Sequence, residues 1–249
     1  MNTFYIQYIN KIKNLLDQIL EEESKNIEKA AALLVSAIEG EGKIFAWGST
    51  HSSTAMQDIY MRAGGLMVIN AIFIPGLEAL QVKPFGLTSK IERLEGYAEI
   101  ILDHTPIQMG DVLILVSSSG RNAVPIEMAK IAKERGIKVI AVTSYEYTKS
   151  VKSRHHDGKN MYYYADIILD NKVEAGDAIL EAPECPAKFG PSSGITTIAL
   201  LHCLVIETIE QLLLKGITPP IFMSQNLDGG EEFNELMIDQ YKEKIFYLK

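Results

Sequence analysis

The stretch VLILVSSSGRNAVP, residues 112–125, joins an apolar run to a hydroxyl-rich turn and then to the start of a helix. Five consecutive apolar residues preceded by Gly110 and Asp111 have the length of a buried strand. Pro125 fits the first turn of the following helix, where its missing N–H costs no hydrogen bond. Serines and unpaired backbone N–H groups at a helix N-terminus favour an anion. The stretch therefore predicts a strand, an anion-binding loop and a helix.

The same alternation of strand and helix extends over most of the chain. Helices are predicted over 3–23, from a Ser24 cap to Gly40, from the GSTHSS segment to Gly64-Gly65, and over 123–135 and 195–214. Strands are predicted over 43–47, 66–72, 112–116, 138–142 and 165–170. This alternation predicts a parallel sheet covered by helices on both faces. With no repeat or linker, we expect one α/β domain over 1–249, with a helical lead-in over 1–40 and a C-terminal extension over 215–249.

Composition excludes several classes of protein. A chain of 249 residues with 47% hydrophobic and 22% charged residues has the composition of a soluble globular protein. The apolar stretch Ile195–Ile206 is predicted to be too short to span a bilayer, and the N-terminus has no signal-peptide core. The net charge of −8 argues against a general nucleic-acid surface. We therefore expect neither a membrane nor a nucleic acid as partner.

Cysteine usage predicts the compartment and argues against a metal site. Cys185 and Cys203 are the two cysteines, which are too few for a disulfide framework. A reducing cytoplasm is therefore the expected location. No spacing of cysteine and histidine is typical of a zinc site.

Two predicted strands end in loops of similar chemistry, GSTHS at residues 48–52 and SSSG at residues 117–120. In a doubly wound sheet, ligands bind beyond the carboxyl ends of the strands, so neighbouring strands would place both loops at one crevice. Neither loop has the G-x-G-x-x-G pattern of dinucleotide sites or the G-K-[ST] ending of triphosphate sites. The loops predict a site for a single phosphate, with no metal or cofactor. The alternative is that these serines only cap helices.

Four segments carry a resemblance to a known family. GSTHS, SSSGRN, VIAVTS and the GPSSG that precedes a long apolar helix resemble the sugar isomerase (SIS) domain over most of residues 25–215. Within the family, the run THSSTAMQDIYMRAGGL, the stretch SRHHDGK and the late segment NLDGG are similar to a group described as phosphosugar isomerases without an assigned substrate. The resemblance gives the ligand class more firmly than the reaction.

The resemblance implies a fold, a ligand and an assembly. The fold is a three-layer α/β/α sandwich with a five-stranded parallel sheet, of the doubly wound, flavodoxin-like kind. The ligand is a phosphosugar, and the assembly is a homo-oligomer, either a dimer or a tetramer. The family acts as isomerases, etherases or regulators in carbohydrate metabolism. By the resemblance, the phosphate-binding positions are Ser52, Ser117, Ser118, Ser119 and Asn122. Apart from the resemblance, Ser49 and Thr50 of the first loop are further phosphosugar-binding candidates, and Arg62 is a candidate partner for the phosphate or carbonyl.

Three residues are candidates for moving protons in an aldose–ketose isomerisation, which needs a base and a group that polarises the carbonyl. His51 lies in the first loop, where it could donate to phosphate or transfer a proton. Asp58 follows on the next helix, with Arg62 on the same face, although the pair could equally be a surface ion pair. Glu92 and Glu95 match the region where related etherases carry an acidic residue, and a solvated helix face would also explain them.

Two further groups of residues are weighed against simpler roles. Arg154, His155 and Lys159 could reach the mouth of the pocket, although a loop cluster of this kind is more often solvated. His202 lies in the apolar run IALLHCLVI and is expected to be a core or subunit-interface histidine. In the phosphoheptose isomerase branch a Glu-x-His pair begins this helix, whereas Thr196 and Ile198 align there in this chain.

The sequence therefore predicts a cytoplasmic, metal-independent sugar-phosphate (aldose–ketose) isomerase with His51, Asp58 and Glu92 as its catalytic candidates. A lyase or etherase acting on an amino-sugar phosphate is one alternative. A non-catalytic phosphosugar sensor is the other.

Overall fold

Five parallel strands form the centre of the computed structural model, which describes residues 3–78, 83, 84 and 86–248. The strands are β1 Ile44–Gly48, β2 Ile69–Ala71, β3 Val112–Val116, β4 Lys138–Thr143 and β5 Ile167–Asp170. Their order is β2-β1-β3-β4-β5, and every neighbouring pair is parallel. The predicted α/β fold with a five-stranded parallel sheet is confirmed.

Helices cover the sheet on both sides. The described helices are α1 Phe4–Glu22, α2 Ser24–Glu39, α3 His51–Asp58, α4 Leu87–Ile91, α5 Tyr97–Asp103, α6 Ala123–Glu134, α7 Tyr145–Ser150, α8 Ser193–Leu214 and α9 Gly230–Tyr241. Successive strand side chains point to opposite faces. Ile44 and Ile114 thus join the core under α2, α3 and α8, whereas Phe45 and Leu113 join the core under α5 and α6. Because both faces are buried, the strands are continuous apolar runs without alternation.

The predicted helix after the first loop is wrong at its C-terminal end. α3 ends at Asp58 instead of Gly64-Gly65, and Met61 has a φ of +46°. The glycine pair instead hydrogen-bonds to Phe222, since the Gly64 N–H donates to the Phe222 carbonyl and the Gly65 carbonyl accepts from the Phe222 N–H. The glycine pair thus hydrogen-bonds to a distant segment instead of ending a helix, which no local pattern could reveal.

Two other boundaries differ from the predictions. Ser24 is not the cap of α2, because its hydroxyl donates to the Leu20 carbonyl and α1 and α2 are separated by Glu23 alone. β2 begins at Ile69 instead of Leu66, since Leu66 forms an isolated bridge with Ile221. The first difference arises from a local contact four residues back along the chain, and the second depends on a segment distant in the sequence.

Several elements carried no clear sequence signal. The segment 73–111, which has scattered glycines and prolines, contains α4 and α5. A short antiparallel hairpin, β6 Ala178–Leu180 with β7 Phe189–Pro191, precedes α8 and packs against α1. Asp177 at the start of this hairpin accepts hydrogen bonds from the backbone N–H groups of Ser192 and Ser193 and so caps α8.

The prediction that the apolar stretch on α8 is too short to span a bilayer is also wrong. The helix runs for 22 residues with a mean hydropathy of 1.6 in its most apolar window, which is long and apolar enough to cross a membrane by length and composition. In the fold it packs against α2 and α3, and 39% of that window is buried. A core helix of a soluble protein passes the same test, so the helix by itself assigns no membrane location.

Candidate functional site

The two hydroxyl-rich loops lie at the place where the strand order reverses. β1 is followed along the chain by β2 on one side, and β3 starts the series on the other side. Gly48 of β1 lies opposite Val116 of β3, so the loops that follow leave the same edge of the sheet side by side. The two loops are thus neighbours, as predicted, at the carboxyl ends of β1 and β3. They lie at the topological switch point, where open α/β sheets bind their ligands.

The first loop turns tightly into α3. A Cβ on Gly48 would lie 2.7 Å from the Ser52 carbonyl oxygen, so only glycine allows this approach. Thr50 has a φ of +52°, and its N–H donates to the Leu77 carbonyl. His51 is the first residue of α3, and its side chain is exposed. The loop therefore presents hydroxyls and an imidazole at a helix start.

The serines of the second loop have different surroundings. The Ser117 hydroxyl accepts from the Gly120 N–H at 3.3 Å, which closes the turn. The Ser118 hydroxyl accepts from the Asn171 side chain at 3.2 Å, and its carbonyl accepts from the Ser144 N–H. Within the described part of the chain, the hydroxyl of Ser119 has no hydrogen-bond partner. Ser119 is therefore the serine of this loop that is most available to a ligand.

Glu92 connects the two loops. The Ser49 hydroxyl donates to its Oε1 at 2.6 Å, and the Asn122 side-chain amide donates to its Oε2 at 2.8 Å. Glu92 is only 7% exposed, so the solvated helix face considered for it is wrong. Burial raises the pKa of its carboxyl, while the hydrogen bonds from Ser49 and Asn122 oppose that rise. A buried carboxylate with a raised pKa in a crevice is typical of a general base.

Positive charge is concentrated next to this carboxylate. The Arg154 guanidinium donates to the Asn122 side-chain oxygen at 2.7 Å. Burial, and then the charges of Arg121 and Arg93, lower the pKa of Arg154, whereas Glu92 opposes that change. Three guanidinium groups thus lie near each other in a protein whose net charge is −8. Such a concentration of like charge favours an anion.

Asp58 and Arg62 lie away from this cluster. Asp58 accepts from Arg62 at 2.6 Å through one oxygen and contacts Nε2 of His202 at 2.7 Å through the other. Asp58 is seven residues beyond His51 on α3, which corresponds to about 10 Å along the helix. The contact between Asp58 and His202 thus joins α3 to α8, and His202 is half-buried there. Neither Asp58 nor Arg62 contacts Glu92 within the described residues.

The histidine pair and its neighbours differ from a solvated loop. His155 is buried, and His156 contacts Glu95. Lys159 is exposed, with its amine 5.8 Å from the centre of the Tyr164 ring. Sequence reasoning did not single out Glu127 or Asp157, which contact His155. Glu127 carried no signal because its contact arises from packing between α6 and a distant loop, whereas Asp157 lies in the same SRHHDGK stretch as His155.

A cleft of about 690 Å³ lies elsewhere, at the edge of the sheet between α1, α2 and β5. Acidic side chains line it, and its Lys172 is paired with Glu22, Glu23 and Asp170. This negative lining would repel a phosphate dianion. The crevice between the loops that follow β1 and β3 is therefore the better candidate for a phosphate.

Sequence comparisons identify relatives along nearly the whole chain. The sequence profile of the SIS domain matches residues 7–144. A UPF0309 protein of Streptomyces griseus is 41% identical over 97% of this chain and 96% of its own length. A UPF0309 protein of Shouchella clausii is 42% identical over 97% of this chain and 98% of its own length.

Solved structures show the same fold at low sequence identity. Phosphoheptose isomerase of Neisseria gonorrhoeae has a TM-score of 0.52 and 20% identity, and the match covers 82% of this chain and 96% of that one. The Vibrio vulnificus NanR protein, solved with ManNAc-6P, has a TM-score of 0.54 and 16% identity, and the match covers 96% of this chain and 70% of that one. The sequence matches place the chain in the SIS domain family and, within it, in the UPF0309 family.

Proposed function

We propose that the crevice between β1 and β3 binds the phosphate group of a sugar phosphate and that the protein is an aldose–ketose isomerase. The observation that carries the proposal is the buried Glu92 carboxylate, which is hydrogen-bonded to Ser49 of one loop and Asn122 of the other. The sugar isomerase fold and the phosphosugar ligand of a structural neighbour support the ligand class.

The phosphate would bind to neutral donors at the two loops. Ser119 offers a free hydroxyl, and Ser52 and Ser117 lie in the same two loops. Thr50 contributes its hydroxyl beside them. Each hydrogen bond to a charged group contributes about 1.5–3 kcal/mol, so several of them suffice for a monoester. The guanidinium of Arg154 adds positive charge nearby.

Glu92 is the proposed base. Its carboxylate takes the proton from the carbon next to the carbonyl, the C–H electron pair forms the C=C bond of an enediol, and the carbonyl oxygen gains a proton. Return of the proton from Glu92 to the former carbonyl carbon, with loss of the hydroxyl proton from the neighbouring oxygen, gives the isomer with unchanged mass. His51, exposed at the start of α3, is the proposed donor and acceptor for the oxygen protons. A raised pKa brings Glu92 closer to the ideal of a base near the working pH.

The proposal also includes a homo-oligomeric assembly and a cytoplasmic location. A homo-oligomer fits the apolar side chains that α8 exposes, such as Ile206 and Leu213. A cytoplasmic location fits Cys185 and Cys203, both of which are free thiols.

The test is to incubate the purified protein with a panel of aldose and ketose phosphates in D₂O and to follow the products by NMR and mass spectrometry. Isomerisation conserves the carbon skeleton and introduces deuterium at the carbon next to the carbonyl in each turnover in which the proton held by Glu92 exchanges with D₂O before it returns. Glu92→Gln should lower kcat at least a thousandfold, because the base is lost. Glu99→Gln, at an exposed carboxylate on α5, is the matched control and should retain activity.

The alternative functions give different results. An etherase or lyase would release a fragment and change the mass of the sugar, which would contradict the isomerase proposal. A sensor would bind a sugar phosphate in calorimetry without turnover by the wild type. Full activity of Glu92→Gln would remove Glu92 from the role of base.

A further inference from the structure

Three metal-binding side chains lie together beside the crevice. Glu95, His155 and His156 each have one ligand atom within 4.8 Å of the ligand atoms of the other two. Glu95 and His156 are separated by 61 positions in the chain. This separation explains why cysteine and histidine spacing predicted no metal site. The cluster takes no part in the proposed sugar reaction.

His155 is oriented as a metal-binding histidine usually is. Its side chain is 1% exposed, and its Nδ1 lies 2.8 Å from Oδ1 of Asp157. Asp157 is itself held by the Tyr164 hydroxyl and by the Lys159 N–H. A carboxylate that accepts from one imidazole nitrogen fixes the ring and leaves the other nitrogen for a metal. Here that nitrogen is Nε2.

Carboxylates provide the charge that a cation needs. Oε1 of Glu127 lies 3.5 Å from Nε2 of His155, and both oxygens of Glu127 accept from the Gly96 N–H. Oε2 of Glu95 lies 2.7 Å from Nδ1 of His156. Two imidazoles and the Glu95 carboxylate thus lie together, and the Glu127 carboxylate lies next to His155.

The geometry points to a binding site for a divalent transition-metal ion, with Glu95, His155 and His156 as ligands and Glu127 as an adjacent carboxylate. Imidazole nitrogens combined with carboxylate oxygens suit Zn²⁺, Mn²⁺, Co²⁺ or Ni²⁺, whereas Mg²⁺ and Ca²⁺ bind almost entirely through oxygen. Zn²⁺ accepts such a set in a tetrahedral site.

The ion would connect two segments that also carry residues of the crevice. Glu92 lies three residues before Glu95, and Arg154 directly precedes His155. A bound metal would therefore fix the loop of Glu92 against the segment of Arg154. The role of the ion is to organise the site. Metal binding can be measured without any sugar, so its test does not depend on the proposed reaction.

The experiment uses the full-length, tag-free protein in a Cys185→Ser/Cys203→Ser background, so that free thiols do not bind the probe. After chelator treatment, Zn²⁺ binding is measured by isothermal titration calorimetry, and the metal retained after gel filtration is measured by elemental analysis. We expect one Zn²⁺ per chain. At a free zinc concentration of 100 times Kd, we expect the melting temperature to rise by about 5–10 °C.

Variants at the exposed ligands identify the site. His156→Ala and Glu95→Gln should each weaken Zn²⁺ binding at least tenfold, and Asp157→Asn should weaken it about tenfold through His155. The matched controls are His104→Ala and Glu99→Gln, both at exposed positions on or next to α5. They should bind Zn²⁺ as the parent does. The proposal is overturned by a parent that retains no zinc, or by equal zinc affinity in the parent, His156→Ala and Glu95→Gln.

Discussion

At the scale of single residues, Glu92 is distinguished by competing effects on its pKa. Burial raises the pKa from its ordinary value of 4.5, and the hydrogen bonds from Ser49 and Asn122 lower it. Folding thus favours the protonated form, so the contribution of Glu92 to stability is present below its unfolded pKa and is lost as pH rises through its raised pKa. A carboxylate kept at such a cost to stability is typical of functional sites.

Ser49→Ala tests this balance. Loss of its hydrogen bond removes an effect that lowers the pKa, so the pKa of Glu92 should rise further. Titration of side-chain carboxyl carbons by NMR measures the pKa directly, and the acid limb of kcat/KM should move to higher pH by the same amount. The control is Ser89→Ala, at an exposed position on α4. If the NMR titration shows a raised pKa for Glu92 but the acid limb of kcat/KM does not move, another group is the base.

At the scale of elements, Lys172 joins the α1–α2 junction to the end of β5. Its amine lies 3.0 Å from carboxylates of Glu22, Glu23 and Asp170, and its side chain is 10% exposed. Burial opposes the charged form, but the three hydrogen bonds outweigh it and raise the pKa of Lys172. The ion pairs therefore stabilise the fold at neutral pH.

Lys172→Met should lower the free energy of unfolding by about 3 kcal/mol, because it leaves buried carboxylates unpaired. Lys188→Met, which removes a pair with Glu174 in which both side chains are more than 40% exposed, should change it by only about 0–1 kcal/mol. Urea denaturation at pH 7 measures both. Since the folded pKa of Lys172 is raised, its stabilisation is present below the ordinary lysine pKa of 10.5 and is lost as pH rises through the raised value. A Lys172→Met cost equal to that of Lys188→Met would contradict this account.

At the scale of the whole molecule, one outer surface is unusually apolar. Ile206, Leu213 and Leu214 of α8 are 59–81% exposed, and Leu20 of α1 is 71% exposed. Leu20 and Ile206 line a groove of about 430 Å³ between α1, α2 and α8. Apolar surface of this kind marks association surfaces. The proposed homo-oligomer would bury it.

Ile206→Asp should dissociate the oligomer, because an aspartate would have to be buried without a partner. Light scattering coupled to gel filtration should give a multiple of the 27.7 kDa chain mass for the wild type and a single chain mass for the variant. Leu236→Asp, at a 72% exposed position on α9, is the control and should leave the assembly intact. A monomeric wild type would remove the proposed homo-oligomer, and an intact Ile206→Asp oligomer would place the interface elsewhere.

The sequence by itself determined the sheet and the positions of the two hydroxyl-rich loops. Val112–Val116 is a strand with the predicted bounds, and the helix at 123–135 is wrong by one residue, because long apolar runs and helix periodicity are local signals. The positions of the GSTHS and SSSG loops followed from these strands. Only the tertiary structure decided where α3 ends, that Glu92 is buried, and that Glu95 meets His156. Each of these depends on contact between segments distant in the chain, and one sequence carries no record of such contacts.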